Sequence, residues 1–439
     1  MLGEVHLLKI KFMIPKLYEH QIKIIKEDKH KCGLFLGTGA SKTRTALELA
    51  EGSVLVICPK QQRDDQTWER ENEKWGTDKK LSVISKEDLR KIWEELPYYD
   101  TVIIDECHNN LGVRPEYVQR KGIQIPATSQ IFEATKKFLE KHPPKRLYLL
   151  SATPVPKPMA MWGIGILLGQ NWDFYKFRQV YYTEVRVGGT RRIWMVKRGE
   201  EVKQRLADLI KRFGYTGAIS DFVDVPDQID KTVYIDLSTE QKKALQDLQF
   251  READALVRAS RARTIENGVL YGKKIEELDG KIDQMTNFTT FFKSNKIDYI
   301  LERAQEFSKL LLFVNYTAQI EEIARTLRQE GYKVYTLTGS TKDRSFIKKV
   351  DESDEPCIII AQSSVSAGWE APSFPCVIFV SLSWRVVDHI QARGRVLRMN
   401  KLKKNLYIYL IVKGGKDDDC YKAIMSGNDF IEKMNSNAN

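Results

Sequence analysis

The sequence predicts an α/β protein with two parallel-sheet domains in tandem and an inserted aromatic, basic and helical accessory region. Three observations predict it. Short apolar runs recur, each followed by a turn or helix signal, as expected of buried strands joined by crossover helices. The runs fall into two series separated by a long interruption, and that interruption is rich in aromatic and basic residues.

The first series is "GLFL" (33–36), "VLVICP" (54–59), "TVIIDE" (101–106) and "RLYLLSAT" (146–153). The second is "TVYIDL" (232–237), "KLLLFVN" (309–315), "KVYTLTG" (333–339), "CIIIAQ" (357–362), "CVIFVS" (376–381) and "LYIYLIV" (406–412). Domain bounds follow at 1–160 for the first domain, 161–230 for the accessory insertion and 231–439 for the second domain. Residues 239–295 read mostly as a helical insert, with Ser238 as its N-cap. No short-period repeat or low-complexity tract is present.

At 439 residues, with 42% hydrophobic and 29% charged residues, the chain can bury a core in each domain. The longest nearly uncharged apolar run, "MAMWGIGILLG" (159–169), is too short for the roughly 20 residues that span a bilayer. The N-terminal "MLGEVHLLKIKF" lacks a signal-peptide layout, so a cytoplasmic protein, or a nuclear one if the host has a nucleus, is expected, with no membrane partner. Cys32, Cys58, Cys107, Cys357, Cys376 and Cys420 lie far apart without a C-x-x-C pair, which reads as reduced core thiols rather than a zinc site.

The balance of 70 Lys+Arg against 59 Asp+Glu, a net charge of +11, favours a polyanionic partner. The basic residues concentrate in "YKFRQVYYTEVRVGGTRRIWMVKR" (175–198), where Glu184 is the single acid and Tyr181, Tyr182 and Trp194 are interleaved. Its second half alternates across Gly188-Gly189 as a β-hairpin does. Arg186, Arg191 and Arg192 are the candidate phosphate contacts there, and Lys60 is another. Trp162, Trp172, Trp194 and Trp369 are either core residues or base-stacking platforms.

"GLFLGTGASKTRTALELA" (33–50) meets the physical requirements of a phosphate-binding loop although Leu36 and Ser41 stand where the usual pattern has glycine. A short buried run enters a turn at Gly37 and Gly39, and Ala40 and Ser41 are small enough to leave backbone N–H groups accessible. Lys42 suits the β/γ-phosphates, Thr43 suits Mg²⁺, and the following residues form helix well. Some sixty residues on, "TVIIDECH" ends an apolar run in Asp105, a Mg²⁺ partner, and Glu106, a base for the attacking water. "HIQARGRVLR" (389–398) supplies Arg395 and Arg398, three apart on an expected helix face, for charge on the γ-phosphate.

With these three elements in this order, the sequence resembles superfamily 2 helicases and translocases over nearly its whole length. "LYEHQ" (17–21) resembles the adenine-reading motif, with Gln21 its glutamine; "GTGASKT", "CPKQQRDDQTWERENEKW" and "DECH" resemble motifs I, Ia and II. "SATP" (151–154), "LLFVNYTAQIEEI" (311–323), "AQSSVSAGWEAPSF" (361–374) and "QARGRVLR" resemble motifs III to VI. The resemblance implies two RecA-like domains that hydrolyse ATP with Mg²⁺ in the cleft between them and ratchet along a nucleic acid. It implies that Gln391 joins Arg395 and Arg398 over the γ-phosphate, and that Gly368 and Glu370 serve the nucleotide site. His108, Ser151 and Thr153 would couple hydrolysis to the track.

"DLSTEQKKAL" (236–245), "SNKIDYILE" (294–302) and Trp384, seven residues before Gln391, resemble Swi/Snf-type duplex-DNA translocases. Cys107, "SATP" and Met399-Asn400 depart from that branch; "GRVLR" and "SATP" look more like phage and repair helicases. A monomeric translocase or helicase of phage or bacterial type, cytoplasmic in a bacterial or phage-infected cell and acting on duplex or branched DNA in replication, recombination or repair, is what the mixed resemblance implies. A duplex-RNA-dependent ATPase, suggested by "DECHNN", and a nucleotide-gated clamp that does not translocate remain the alternatives.

Overall fold

The computed structural model describes residues 15–120, 122–155, 157–187, 191–197, 199–252, 254–278, 281–365, 368–397 and 403–435. The chain divides into two compact units, one running to Phe222 and the other from Val223 to Lys433.

The first unit opens with α1 (Glu19–Glu27), β1 (Lys31–Leu36), α2 (Lys42–Leu49) and β2 (Ser53–Cys58). There follow α3 (Lys60–Asp64), α4 (Thr67–Trp75), β3 (Lys80–Ser85), α5 (Lys86–Ile92) and β4 (Thr101–Ile104). A hairpin of β5 (Val113–Arg120) and β6 (Ile123–Thr128) leads to α6 (Gln130–Lys141), β7 (Arg146–Leu150), α7 (Pro158–Leu167) and α8 (Phe174–Tyr181). A second hairpin, β8 (Tyr182–Val187) with β9 (Arg191–Val196), precedes α9 (Glu200–Phe213) and β10 (Gly214–Gly217). Six strands form one parallel sheet in the order β10-β1-β7-β4-β2-β3.

All four strands expected of this sheet are present, as is the hairpin expected across Gly188-Gly189, whereas the β5–β6 hairpin was not expected. The two sheet strands that were not expected, β3 and β10, are its edges, and β10 carries the sheet past the expected boundary at 160 into the stretch read as an insertion. The apolar run "MAMWGIGILLG" is α7 and its turn, a helix buried on nearly every side. Helix starts follow the side chains: Ser85 and Asp88 form a capping box at α5, Ser129 caps α6 and Asp173 caps α8.

The second unit comprises β11 (Ile229–Tyr234), α10 (Thr239–Arg251), α11 (Ala255–Glu266) and a hairpin of β12 (Val269–Leu278) and β13 (Lys281–Phe291). Next come α12 (Asn295–Glu306), β14 (Lys309–Val314), α13 (Thr317–Gln329), β15 (Val334–Leu337), α14 (Ser345–Glu352) and β16 (Cys357–Gln362). β17 (Cys376–Phe379), α15 (Val386–Arg393), β18 (Leu406–Ile411) and α16 (Lys416–Asn435) complete it. Its parallel sheet has the order β11-β18-β17-β14-β16-β15.

Two faces explain the uninterrupted apolar runs. Leu311, Phe313, Ile359 and Tyr409 pack on one side with Ile347 and Ile424, while Leu310, Leu312, Ile358 and Ile408 pack on the other with Ile300 and Ile323. Ser238 caps α10 as expected, its hydroxyl accepting from the Gln241 N–H at 3.2 Å. The helical reading of 239–295 is corrected beyond α11: Gly268, at φ +82°, stops the helix, and 269–291 pair as a hairpin in which the Phe288 ring lies over Gly272.

A buried cation bolts this accessory segment to the sheet. Lys296, 1% exposed, donates to Asp417 Oδ2 at 2.7 Å, to the Val380 carbonyl at 2.7 Å and to Asn267 Oδ1 at 2.9 Å. Glu266 accepts from the N–H groups of Lys416 and Asp417 at 2.9 and 2.8 Å, so α11 also holds the first turn of α16. Removing one partner of a buried ion pair strands the other, at a cost of about 3–5 kcal/mol. Lys296→Met should lower the unfolding free energy of the second unit by about that amount in urea titration; a loss under about 1 kcal/mol would mean that Arg263, 3.8 Å from Asp417, satisfies the carboxylate alone.

Candidate nucleotide site and helicase motifs

The chemistry-bearing residues of the first unit stand where parallel strands end at their carboxyl termini, the usual location of α/β sites. β1 runs into the loop 37–41, β2 into Pro59-Lys60, β4 into Asp105-Glu106, β7 into Ser151, and β10 into the turn before Phe222. The loop is tied to the sheet edge, since the Gly37 N–H donates to the Gly217 carbonyl at 2.8 Å. Gly39 lies at φ +81°, where a side chain would strain the backbone.

Lys42 opens α2, and its ammonium donates to the carbonyls of Leu36 at 2.8 Å and Gly37 at 3.0 Å. The loop's own backbone thus solvates the charge expected to meet phosphate. The N–H groups of the first turn of α2, from Lys42 and Thr43 onward, have no intrahelical acceptor, which makes this helix start an anion site. Thr43 is half-buried there.

Ser41 takes the left-handed conformation, φ 55° and ψ 34°. The departure from glycine therefore sits at the residue whose backbone most wants glycine.

Asp105 is buried, its N–H bonded to the Ile57 carbonyl at 2.8 Å and its Oδ1 accepting the Glu106 N–H at 2.8 Å. Burial pushes its carboxyl well above the usual range, the Glu106 charge adds to the rise, and Lys42 and the Gln62 side chain oppose it. A buried carboxylate with a second, half-buried one next to it, beside a phosphate-loop lysine, fits a divalent cation, which would offset the cost of ionising both acids. Thr43 and Asp105 are the residues that would hold Mg²⁺.

Glu106 is also left-handed, at φ 45°. Its Oε2 lies 3.3 Å from His108 Nδ1, the same nitrogen stands 2.9 Å from Ser151 Oγ, and Ser151 Oγ accepts the Thr153 N–H at 3.0 Å. The His108–Ser151 hydrogen bond thus joins the turn after β4 to the end of β7, with the Glu106 carboxylate within ion-pair distance of the same ring nitrogen. Gln21, fully buried, donates to the Ser41 carbonyl at 3.5 Å and to Thr45 Oγ1 at 3.2 Å, while its Oε1 accepts the Tyr18 N–H at 3.0 Å. It braces the loop against α1.

Sequence reading missed three neighbours. Gln62 lies in a polar run, "QQRDDQ", without a distinguishing pattern. His20 places Nε2 3.4 Å from the Ala40 carbonyl and stacks on Phe222 at 4.0 Å and 17°. The Phe222 ring lies against Gly217, close enough that no side chain would fit at 217. Only the fold brings these distant residues beside the loop.

In the second unit, α15 ends at Arg393, because Gly394 caps it and the chain turns. The expectation that Arg395 and Arg398 share a helix face is corrected accordingly: Arg395 lies in the turn beyond, and Arg398 lies outside the described residues. Arg395 is buried, donating from Nε to the Gln391 carbonyl at 2.8 Å and from Nη1 to the Trp369 carbonyl at 2.5 Å. It clips 369 to the buried Gln391. Gly368 sits at φ +83°, and Glu370 is exposed.

Trp369 is a core residue, stacked on Phe313 and donating to the Val365 carbonyl at 2.7 Å. Trp162 is likewise buried, and Trp172 packs on Phe177 and Phe213. Trp384, never singled out for stacking, is the tryptophan that is 55% exposed, with the Arg263 guanidinium 5.1 Å from its ring. All six cysteines are buried single thiols, and burial raises Cys32 and Cys376 to about 12.

Residues 292–400, which hold the motifs around β14, β16 and α15, match the helicase conserved C-terminal domain family. This match and the motifs inside it support a superfamily 2 helicase. A 115-residue stretch is similar, at 24% identity, to the ATP-dependent RNA helicase DBP3 of Yarrowia lipolytica, covering 26% of this chain and 22% of that protein. The chain thus spans less than a quarter of that curated relative's length. Among solved structures, the Sulfolobus solfataricus SWI2/SNF2 ATPase core in complex with dsDNA is similar at 18% identity, with a TM-score of 0.38, over 96% of this chain and 93% of that one. No helix among the described residues is long and apolar enough to cross a membrane.

Replacing Ser41 with glycine should relieve the left-handed strain of about 1–2 kcal/mol against a glycine entropy cost of about 0.4–1 kcal/mol. A net gain of about 0.5–1 kcal/mol for the first unit is expected from urea unfolding of Ser41→Gly. A loss of stability would mean that the serine side chain contributes more than its backbone costs.

Proposed function

We propose that this protein is a helicase or translocase that hydrolyses ATP through Lys42, Asp105 and Glu106 and uses the cycle to move on duplex or branched DNA. The observation that carries the reading is the Lys42 ammonium held on the Leu36 and Gly37 carbonyls beside the buried Asp105 and its neighbour Glu106. Lys42 would exchange those carbonyls for β- and γ-phosphate oxygens, and the first N–H groups of α2 would take the remaining phosphate charge. Magnesium, when bound, supplies neutralisation of the phosphate and carboxylate charge. Glu106 would orient the attacking water and take its proton.

Gln391, Arg395 and Arg398 are proposed to act on the γ-phosphate. To meet the phosphate, Arg395 must first leave the Trp369 carbonyl or act through its hold on Gln391. The chain Glu106–His108–Ser151–Thr153 is the proposed route by which γ-phosphate occupancy reaches the nucleic-acid track. Gln21 is the proposed reader of adenine, while Gly368 and Glu370 are proposed to serve the nucleotide from the second unit.

The choice of DNA rests on the Swi/Snf-like segments, one of which contains the buried Lys296, and on the basic β8–β9 hairpin. In that hairpin Arg186 and Arg192 are directly cross-strand and exposed, and Lys60 is exposed at the end of β2. Arg191 occupies the neighbouring register position. A second reading, a duplex-RNA-dependent ATPase, is favoured by "DECHNN" and by the similarity to an RNA helicase over part of the chain.

Lys42→Ala and Glu106→Gln separate binding from chemistry. Both should abolish turnover in a phosphate-release assay, but Glu106→Gln should still bind a fluorescent ATP analogue whereas Lys42→Ala should not. Normal turnover by Glu106→Gln would remove it as the base.

A further inference from the structure

One buried arginine joins the two hairpins of the first unit. Arg178, on α8, is 6% exposed, and its Nη1 donates to the Pro115 carbonyl of β5 at 3.0 Å. Its guanidinium carbon lies 3.9 Å from the ring centre of Trp194 on β9 and 5.0 Å from that of Tyr117 on β5. Tyr117 meets Phe174 of α8 edge-on at 5.0 Å. Trp194 is therefore a cover for Arg178 on that face, and β5–β6, α8 and β8–β9 pack as one body. The planar fork bonds one hairpin while it stacks on the other, which a lysine could not do.

The β5–β6 hairpin carries its own exposed cations, Arg114 and Arg120. Ile123, 66% exposed, pairs in register with Arg120, which puts an apolar side chain beside a cation at the hairpin end, a combination suited to a sugar–phosphate edge. On the other hairpin Glu184 already neutralises part of Arg192, at 3.4 Å, whereas no ion pair to Arg114 or Arg120 is seen among the described residues. β5 also begins just beyond the turn Cys107–Asn110, so the hairpin follows Glu106 and His108 directly in the chain.

We infer that the β5–β6 hairpin is a second nucleic-acid contact, with Arg114 and Arg120 gripping the phosphodiester backbone beside the β8–β9 hairpin and Arg178 as the positioning residue that sets their spacing. This rests on the nucleic-acid reading above and adds to it a grip that begins within the segment following the catalytic acid pair.

The test is the salt dependence of binding of the full chain to fluorescein-labelled blunt duplexes of DNA and of RNA. Each lost phosphate contact flattens the slope of log K against log [salt] by about 0.9 for a DNA duplex. Arg114→Ala/Arg120→Ala should flatten it by up to about 1.8, with ATPase activity in the absence of nucleic acid unchanged. Arg186→Ala/Arg192→Ala, measured in parallel, tests the other hairpin alone. A flattened slope in the first pair supports the inference whatever the second pair does. An unaltered slope in the first pair overturns it, and if only the second pair flattens, the nucleic-acid reading survives without it. Failure of the unsubstituted chain to bind either duplex at low salt overturns both.

Discussion

Burial of the Asp105 carboxylate at the end of a fully buried strand sets the terms for everything around it. An ionised acid there is costly, and the adjoining Glu106 makes it costlier. What eases the cost is positive charge, from Lys42 and, on the proposed reading, from a metal-bound nucleotide. The strand order explains why this arrangement also reaches outward. β7 lies between β1 and β4, so Ser151 and Thr153 emerge between the phosphate loop and the acid pair, where His108 can bond to Ser151 and approach Glu106.

The second unit solves a related problem with cations instead of acids. Lys296, Lys309 and Arg395 are all buried; main-chain carbonyls satisfy most of Lys309 and accept from both Nε and Nη1 of Arg395, and one carbonyl joins the Asp417 and Asn267 side chains at Lys296. Such bonds fix backbone segments to one another rather than merely pairing charges. Lys296 holds the accessory helix, the end of β17 and the start of α16; Arg395 holds the segments before and after β17. The motifs of this unit are therefore parts of a braced frame, and their side chains cannot be treated as free to act independently.

Legibility in the sequence followed burial. Every strand buried on both faces was visible as an apolar run, because a parallel sheet covered by helices needs no polar alternation. The edges β3, "KLSVIS", and β10, "GYTG", were not, since half-exposed or glycine-flanked strands carry little apolar signal. The hairpin β12–β13 was read through as helix because its polar and apolar residues match neither period cleanly. Lys42, Asp105 and Glu106 were legible because their chemistry restricts residue type. Gln62, His20 and Phe222 were not, because only the strand order brings them to the loop. Ser41 looked like a defect in a pattern, and its positive φ shows that the backbone shape is kept without the glycine that usually provides it.

The central claim is that this site hydrolyses ATP in response to nucleic acid. Steady-state ATPase rates with duplex DNA, single-stranded DNA and duplex RNA, measured side by side at one salt concentration, test it most directly. The proposal requires a rate that rises with nucleic acid and rises most with duplex DNA. A larger rise with duplex RNA would move the protein to the alternative substrate, and a rate indifferent to all three would contradict the claim itself.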